Sequence, residues 1–261
     1  MCALLVTASP PHRDLKLDEL RCLARLRVAL RDGGMRLVAQ PIVELATGRV
    51  VAHELLVRLL GSDWTLVGPD YFLKAAERTG LIVEVDRWVL DRAAALAAAG
   101  HDVHVNLSAR SIGIPGLIAE IEHALEREGA DPARLTVELT ETAATEDLPA
   151  AVAFAESFSA IGGRIALDDF GTGFGGLMYL KHLPVHVLKI DVEFVHDLVS
   201  NRRSRAIVDA VVALASDIGL ATVAEGVEDG ATCGLLRAFG VHYGQGFHIA
   251  RAVPAAELSP P

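Results

Sequence analysis

The apolar positions of the chain fall into two rhythms. Between residues 14 and 32, Leu15, Leu20, Leu23, Leu26 and Leu30 recur at roughly helical spacing and Gly33-Gly34 follows as a stop, which predicts an N-terminal helix. Residues 36–43 and 50–59 are instead β-rich runs separated by a short turn containing Thr47-Gly48, the pattern of an antiparallel hairpin. Beyond the hairpin, helical and strand patterns alternate. Helices are expected over 69–79, with Pro69 placed for a first turn and Gly80 for a stop, and over 85–99, 115–128, 148–161, 202–218 and 230–239. Strands are expected over 103–107, 135–139, 164–167, 185–190, 221–224 and, more weakly, 241–247. Such alternation marks parallel βα units, and the absence of a linker, tandem repeat or low-complexity tract favours a closed barrel over an open sheet with a second domain. The expected fold is α/β: a TIM-like (β/α)₈ barrel over residues 35–261, opened by an antiparallel hairpin and preceded by an extension and helix over 1–34.

Composition narrows the function classes. A chain of 261 residues that is 51% hydrophobic with 11 prolines can bury one large core. Its formal charge of -10 leaves no sequence-wide basic field, so a polymeric nucleic acid is not an expected partner. Cys2, Cys22 and Cys233 are scattered and form no CxxC pair, which reads as reduced, cytosolic thiols. The apolar start at 2–8 lacks a basic flank, and no uncharged apolar run reaches the ~18 residues of a membrane span. A soluble cytoplasmic protein is the simplest expectation.

The polar residues carry the chemistry. Glu54, Asn106, Glu138, Asp168 with Asp169, Lys189, Glu225 and Gln245 each fall late in an expected strand, and late in a parallel barrel strand means the active face. Two positions earlier stand Ala52, His104, Thr136, Ala166, Val187, Val223 and Tyr243, mostly small or apolar, as a packed layer beneath a polar rim should be. One strand-end carboxylate is ordinarily a surface cap or salt bridge; repetition around seven strands is not. Converging carboxylates repel unless cations are bound. Oxygen donors without thiolate or histidine suit Mg²⁺ or Mn²⁺, and paired ions are a common means of hydrolysing a phosphodiester. Two ions sharing Asp168 or Asp169, with Lys189 orienting a water, are the reading these residues support.

In these residues the chain resembles the EAL-domain family of cyclic di-GMP phosphodiesterases. The likeness runs from about Leu37 to Pro254 through Gln40-Pro41-Ile42-Val43, Glu54-Leu55-Leu56-Val57-Arg58, Val105-Asn106-Leu107-Ser108, Glu138-Leu139-Thr140-Glu141, Asp168-Asp169-Phe170-Gly171-Thr172-Gly173, Leu188-Lys189-Ile190-Asp191, Ala224-Glu225-Gly226-Val227-Glu228 and Gln245-Gly246. The resemblance implies a barrel with one reversed strand, and hydrolysis of cyclic di-GMP to linear pGpG with two Mg²⁺ or Mn²⁺ ions. By that likeness Glu54, Asn106, Glu138 and Asp168 would hold one metal, and Asp168 with Asp169 would reach the second. Glu54, Lys189 and Glu225 would be catalytic, the last two contacting the attacking water and Glu225 also counted among the metal ligands. Gln40, Arg58 and Gln245 would meet the substrate, and Glu141 would anchor the loop after Asp169. A homodimer, and a regulatory protein partner, are further expectations.

The sequence also departs from the family pattern. The usual Glu-Ala-Leu reads Glu54-Leu55-Leu56, an aromatic residue before Gln-Pro is replaced by Ala39, and the proline after Arg251 by Ala252. Phe174-Gly175-Gly176 stands for Tyr-Ser-Ser, and two glycines cost backbone order. None of these removes an expected metal ligand. His53-Glu54 lacks the second histidine of a zinc-protease helix, His182 and His186 straddle Pro184 and read as loop residues, and Gly171 to Gly176 matches no phosphate loop. His104 reads as a hydrogen-bonded core histidine, and Arg202-Arg203-Ser204-Arg205 as the solvated start of a helix. Two alternatives to an enzyme stay open: a weak or inactive cyclic di-GMP receptor, and an interaction protein that docks through its N-terminal helix.

Overall fold

The computed structural model of the chain describes residues 12–61, 65–171 and 176–259, and at positions 12–18, 145 and 176 the backbone only. Strand β1 (Met35–Glu44) and strand β2 (Val50–Leu60) form the expected hairpin, paired antiparallel from Met35 opposite Leu59 to Val43 opposite Val50. Six strands follow: β3 (Val103–Asn106), β4 (Leu135–Thr140), β5 (Arg164–Phe170), β6 (Val187–Ile190), β7 (Ala221–Ala224) and β8 (Tyr243–Gly244). Each is parallel to the one before it, with β3 beside β2. Strand β8 returns to β1 antiparallel through Gly244 opposite Val43, which closes an eight-stranded barrel in which β1 alone is reversed. The short strands Leu66–Val67 and Val253–Pro254 extend the sheet beyond β2 and β1.

Two cores separate cleanly. The larger lies between the outer strand faces and the surrounding helices, and includes the N-terminal helix His12–Asp32 through Cys22, Leu23, Leu26 and Ala29. Those four positions form one helical stripe, so Leu20, expected on the apolar face, points outward instead. The smaller core fills the barrel with Ile42, Ala52, Ala166, Val187 and Val223, and Tyr243 packs against it. This is the layer expected two residues below the polar positions.

Three expectations needed correction. The segment 69–79 is a 3₁₀ turn, Pro69–Tyr71, followed by an α-helix, Leu73–Thr79, because Phe72 at the join leaves helical geometry and is fully buried. Of 241–247 only Tyr243–Gly244 pairs as a strand. The chain leaves the ladder where Gln245 N–H donates to Ala224 and Val227 N–H donates to Gln245. Gly246, at φ 157, lies against the Val227 backbone, where a Cβ would collide. The short helices Ala109–Ile112, Glu141–Glu146, Gly176–His182 and Val192–His196 were not foreseen, since about one or two turns leave no readable period. His182 accordingly ends a helix, and His186 Nδ1 accepts a hydrogen bond from Ile165 N–H at 3.1 Å. Phe174 and Gly175 lie outside the described residues.

Candidate active site

Sheet register brings the polar residues to one end of the barrel. Glu54 is not late in its strand: β2 runs on to Leu60, and Glu54 is level with His104 of β3. Its carboxylate is nevertheless fixed in the mouth by two amides, Asn106 Nδ2 donating to Oε1 at 2.8 Å and Gln245 Nε2 to Oε2 at 2.7 Å. That orientation turns both amide oxygens away from Glu54, and Gln245 Oε1 is buried with no partner among the described residues. Gln40 stands opposite Glu54 in the hairpin, and both line a mouth cavity of about 610 Å³ with Asn106, Asp168, Asp169, Glu225 and Gln245. Arg58 is outside that lining; half-buried, it donates to Val57 O at 2.9 Å.

Lys189 is the centre of the charge network. Its buried ammonium lies 2.5 Å from Glu225 Oε1, 2.8 Å from Glu138 Oε2, 3.2 Å from Asp168 Oδ1 and 3.6 Å from Glu54 Oε2. Burial disfavours its charge, but the carboxylates of Asp168, Glu138, Glu225 and Glu54 outweigh this and raise its pKa well above the usual lysine range. One ammonium cannot balance this set. Burial, added to by the charges of Asp168 and Glu54, pushes Glu225 up to about 8 despite Lys189. Glu138 is likewise raised well above the usual range, by burial first and by Glu54 and Asp168 after it. Glu54 is the exception: burial pushes it up, but Lys189 and the two amide donors prevail and hold it low.

Adjacent residues of a strand normally face opposite sides, yet Asp168 and Asp169 both reach the mouth. The β5–β6 register shifts between Leu167 and Phe170, and Asp169 takes a left-handed conformation at φ 54. One oxygen each of Asp168, Asp169 and Glu225 then falls within 4.8 Å of the others. Burial, the charge of Asp168 and interaction with Asp191 raise Asp169 to about 6. The loop beyond it turns at Gly171, φ 102, whose N–H donates to Glu141 Oε1 at 3.0 Å.

The donor set fits hard divalent cations. Glu54, Glu138, Asp168, Asp169 and Glu225 oppose the single charge of Lys189, and burial first, with neighbouring carboxylates after it, raises the pKa of Glu138, Asp169 and Glu225. Glu138 is the most constrained candidate, with Oε1 on His104 Nδ1 at 2.8 Å and Oε2 on Lys189. Each oxygen keeps a further lone pair. Burial and the charge of Lys189 push His104 down to about 3, so its ring is neutral, and Nδ1 and Glu138 Oε1 share one hydrogen bond. This is the hydrogen-bonded core histidine the sequence predicted.

Some supporting residues escaped the sequence reading. Ser108, Thr140 and Asp191 cap the short helices that leave the barrel, each two residues beyond Asn106, Glu138 or Lys189. That recurring spacing of a Ser, Thr or Asp was a readable signal. Asp86 was not: it lies 5% exposed on the helix Ile82–Ala98 and takes Ser108 N–H at 3.1 Å and the hydroxyls of Ser108 and Ser111 at 2.6 Å each. Burial raises it to about 6 against those three donors.

The profile of the EAL domain matches residues 23–252. The chain belongs to the EAL domain family. Among curated EAL relatives, the bifunctional diguanylate cyclase/cyclic di-GMP phosphodiesterase MucR of Pseudomonas aeruginosa is 39% identical over 248 residues, covering 92% of this chain and 36% of MucR. The cyclic di-GMP phosphodiesterase NbdA of the same organism is 38% identical over 248 residues, covering 92% of this chain and 32% of NbdA. The chain thus spans about a third of the length of these relatives. In three dimensions it is similar to the PaMucR phosphodiesterase in its c-di-GMP complex, with a TM-score of 0.86 at 39% identity over 92% of this chain and 100% of that one. It also resembles the FimX EAL domain from Pseudomonas aeruginosa bound to c-di-GMP, with a TM-score of 0.85 at 29% identity over 92% and 99% of the two chains.

Proposed function

We propose that this EAL domain is a metal-dependent phosphodiesterase that hydrolyses cyclic di-GMP to linear pGpG, acting in the cytoplasm and as a homodimer. The observation that carries the reading is the gathering of four carboxylates around one buried lysine in the mouth, with Asp169 beside two of them, a surplus of negative charge that divalent cations would offset. Among relatives, the names of MucR and NbdA point to the same substrate. No helix among the described residues is long and apolar enough to cross a membrane.

In this reading Glu54, Asn106, Glu138 and Asp168 would hold one Mg²⁺ or Mn²⁺ ion, and Asp168, Asp169 and Glu225 a second. When bound, the ions supply Lewis acidity and lower the pKa of water. The chain's own residues do the rest. Glu225, next to Lys189, takes a proton from the attacking water, while Lys189 stays cationic and holds that water and Glu225 in line. The water oxygen bonds to phosphorus, the P–O3′ bond breaks, and the leaving 3′ oxygen takes a proton from bulk water. Gln40 and Gln245 meet the dinucleotide in the mouth, and Arg58, near the charges of Glu54 and Asp70, stands ready at its edge for a phosphate. Glu141 holds the loop after Asp169 in register through Gly171.

The test is a product chromatogram of purified protein with Mn²⁺ or Mg²⁺ and cyclic di-GMP. The expected result is pGpG, abolished by Glu54→Ala, with Ca²⁺ occupying the mouth but suppressing turnover because its longer, looser coordination misplaces the water. Binding of cyclic di-GMP without product in either activating metal would instead make the domain a receptor.

A further inference from the structure

Beneath the apolar plug, at the end of the barrel opposite the mouth, lies a second cavity of about 860 Å³. Its lining inverts the charge of the molecule. The chain carries a formal -10, yet Arg49, Arg134 and Arg164 line this floor against one carboxylate, Asp102. Arg134 and Asp102 are committed to each other at 3.1 Å, and Arg134 also donates to Gly100 O at 2.6 Å, an ordinary stabilising role for the floor of a barrel. The other two arginines are not so engaged. Among the described residues the Arg49 side chain reaches only Glu44, at 3.9 Å, and the Arg164 side chain makes no ion pair or hydrogen bond.

Two buried polar side chains face the same space. Thr136 and His101 are each 5% exposed and line the cavity, and neither side chain makes a hydrogen bond to a described residue. Among the described residues the only ring contact of His101 is edge-on to His53 at 5.9 Å. The Thr136 hydroxyl and the His101 imidazole open onto the cavity and are free to meet a ligand there. Set beneath two uncommitted guanidinium groups, they form a donor set for an oxyanion, and guanidinium pairs most strongly with phosphate.

We propose that this floor cavity is a second binding site, separate from the mouth, for a small phosphate-class anion: inorganic pyrophosphate, or the phosphate of a nucleotide. Arg164 and Arg49 grip the anion at the rim, and Thr136 and His101 donate to it from inside. Pyrophosphate is titrated by calorimetry into the full chain without added divalent ions, where the acidic mouth repels anions. The expected result is saturable, one-site binding. It weakens roughly tenfold or more in the Arg49→Ala/Arg164→Ala double variant, since a lost charged hydrogen bond is that large. It survives in Arg164→Lys and is unchanged by Glu54→Gln in the mouth. Competition by GMP but not by guanosine assigns the nucleotide phosphate as a source; competition by neither leaves the inorganic anion. Melting curves matching the parent establish that the double variant is folded. Absence of saturable binding, equal affinity in the folded double variant, or loss of binding on Glu54→Gln overturns the proposal.

Discussion

The mouth and the floor of this barrel are built from the same strands and carry opposite charge. At the mouth four carboxylates surround one ammonium and Asp169 adds a fifth nearby; at the floor, among the described residues, arginines outnumber the single Asp102. Between them lies an apolar plug of Ile42, Ala52, Ala166, Val187 and Val223. Thr136 and His104 bring polar groups into that layer. His104 hydrogen-bonds Glu138 above and lines the floor cavity below, so it is the side chain through which the two ends touch. The difference teaches where strain is stored. Burying like charges at the mouth is unfavourable without cations, whereas the floor arginines remain close to water and cost little.

The contrast is sharpest at Lys189. Lys189→Met removes the only ammonium from four carboxylates, and without divalent ions the expected loss is about 3–5 kcal/mol, read from denaturant unfolding. Added Mn²⁺ should recover part of it. A change under about 1 kcal/mol would mean the carboxylates are already neutral and the charge surplus of the mouth is illusory.

The mouth was legible in the sequence because parallel strands end on one side. Once the alternation of strands and helices is read, Asn106, Glu138, Lys189 and Glu225 must face a common space, and the structure brings them together. Other features depend on geometry that no local pattern encodes. Glu54 lies in mid-strand because β2 extends along β1 beyond its pairing with β3. The shared direction of Asp168 and Asp169 needs a bulge and a positive φ. Asp86 acts on Ser108 across 22 residues of sequence, a helix-to-loop contact without a motif. The split at Phe72 is a tertiary choice, since full burial of the ring prevails over a continuous helix.

Asp86 offers the next test, at the rim of the mouth. Its folded pKa of about 6 stands above the usual aspartate value, so its protonated form stabilises the fold below about pH 4, and that contribution is lost as pH rises through 6. Asp86→Asn does not titrate. Between pH 4 and 7 the stability difference should therefore move in favour of the variant by about 2–3 kcal/mol, measured by urea unfolding at each pH. A difference independent of pH would show that Asp86 is not held protonated by burial.

The smallest expected effect is at the link between the two ends. His104→Leu keeps the plug apolar but removes the hydrogen-bond partner of Glu138 Oε1, leaving a buried polar atom unsatisfied at a cost of about 1–3 kcal/mol. Thermal unfolding reads this, and His104→Gln, which can still donate, should lose less. Equal losses in the two variants would separate the floor from the mouth altogether.

The central claim, that the acidic mouth is a two-cation hydrolytic site, is tested most directly by the rate of pGpG formation from cyclic di-GMP as a function of free Mn²⁺. The expected curve is zero without metal and rises with the cooperative dependence of a site that needs two ions, and Glu225→Gln flattens it while cyclic di-GMP still binds. Full turnover in metal-free protein, or no product at any Mn²⁺ concentration despite bound dinucleotide, would contradict it.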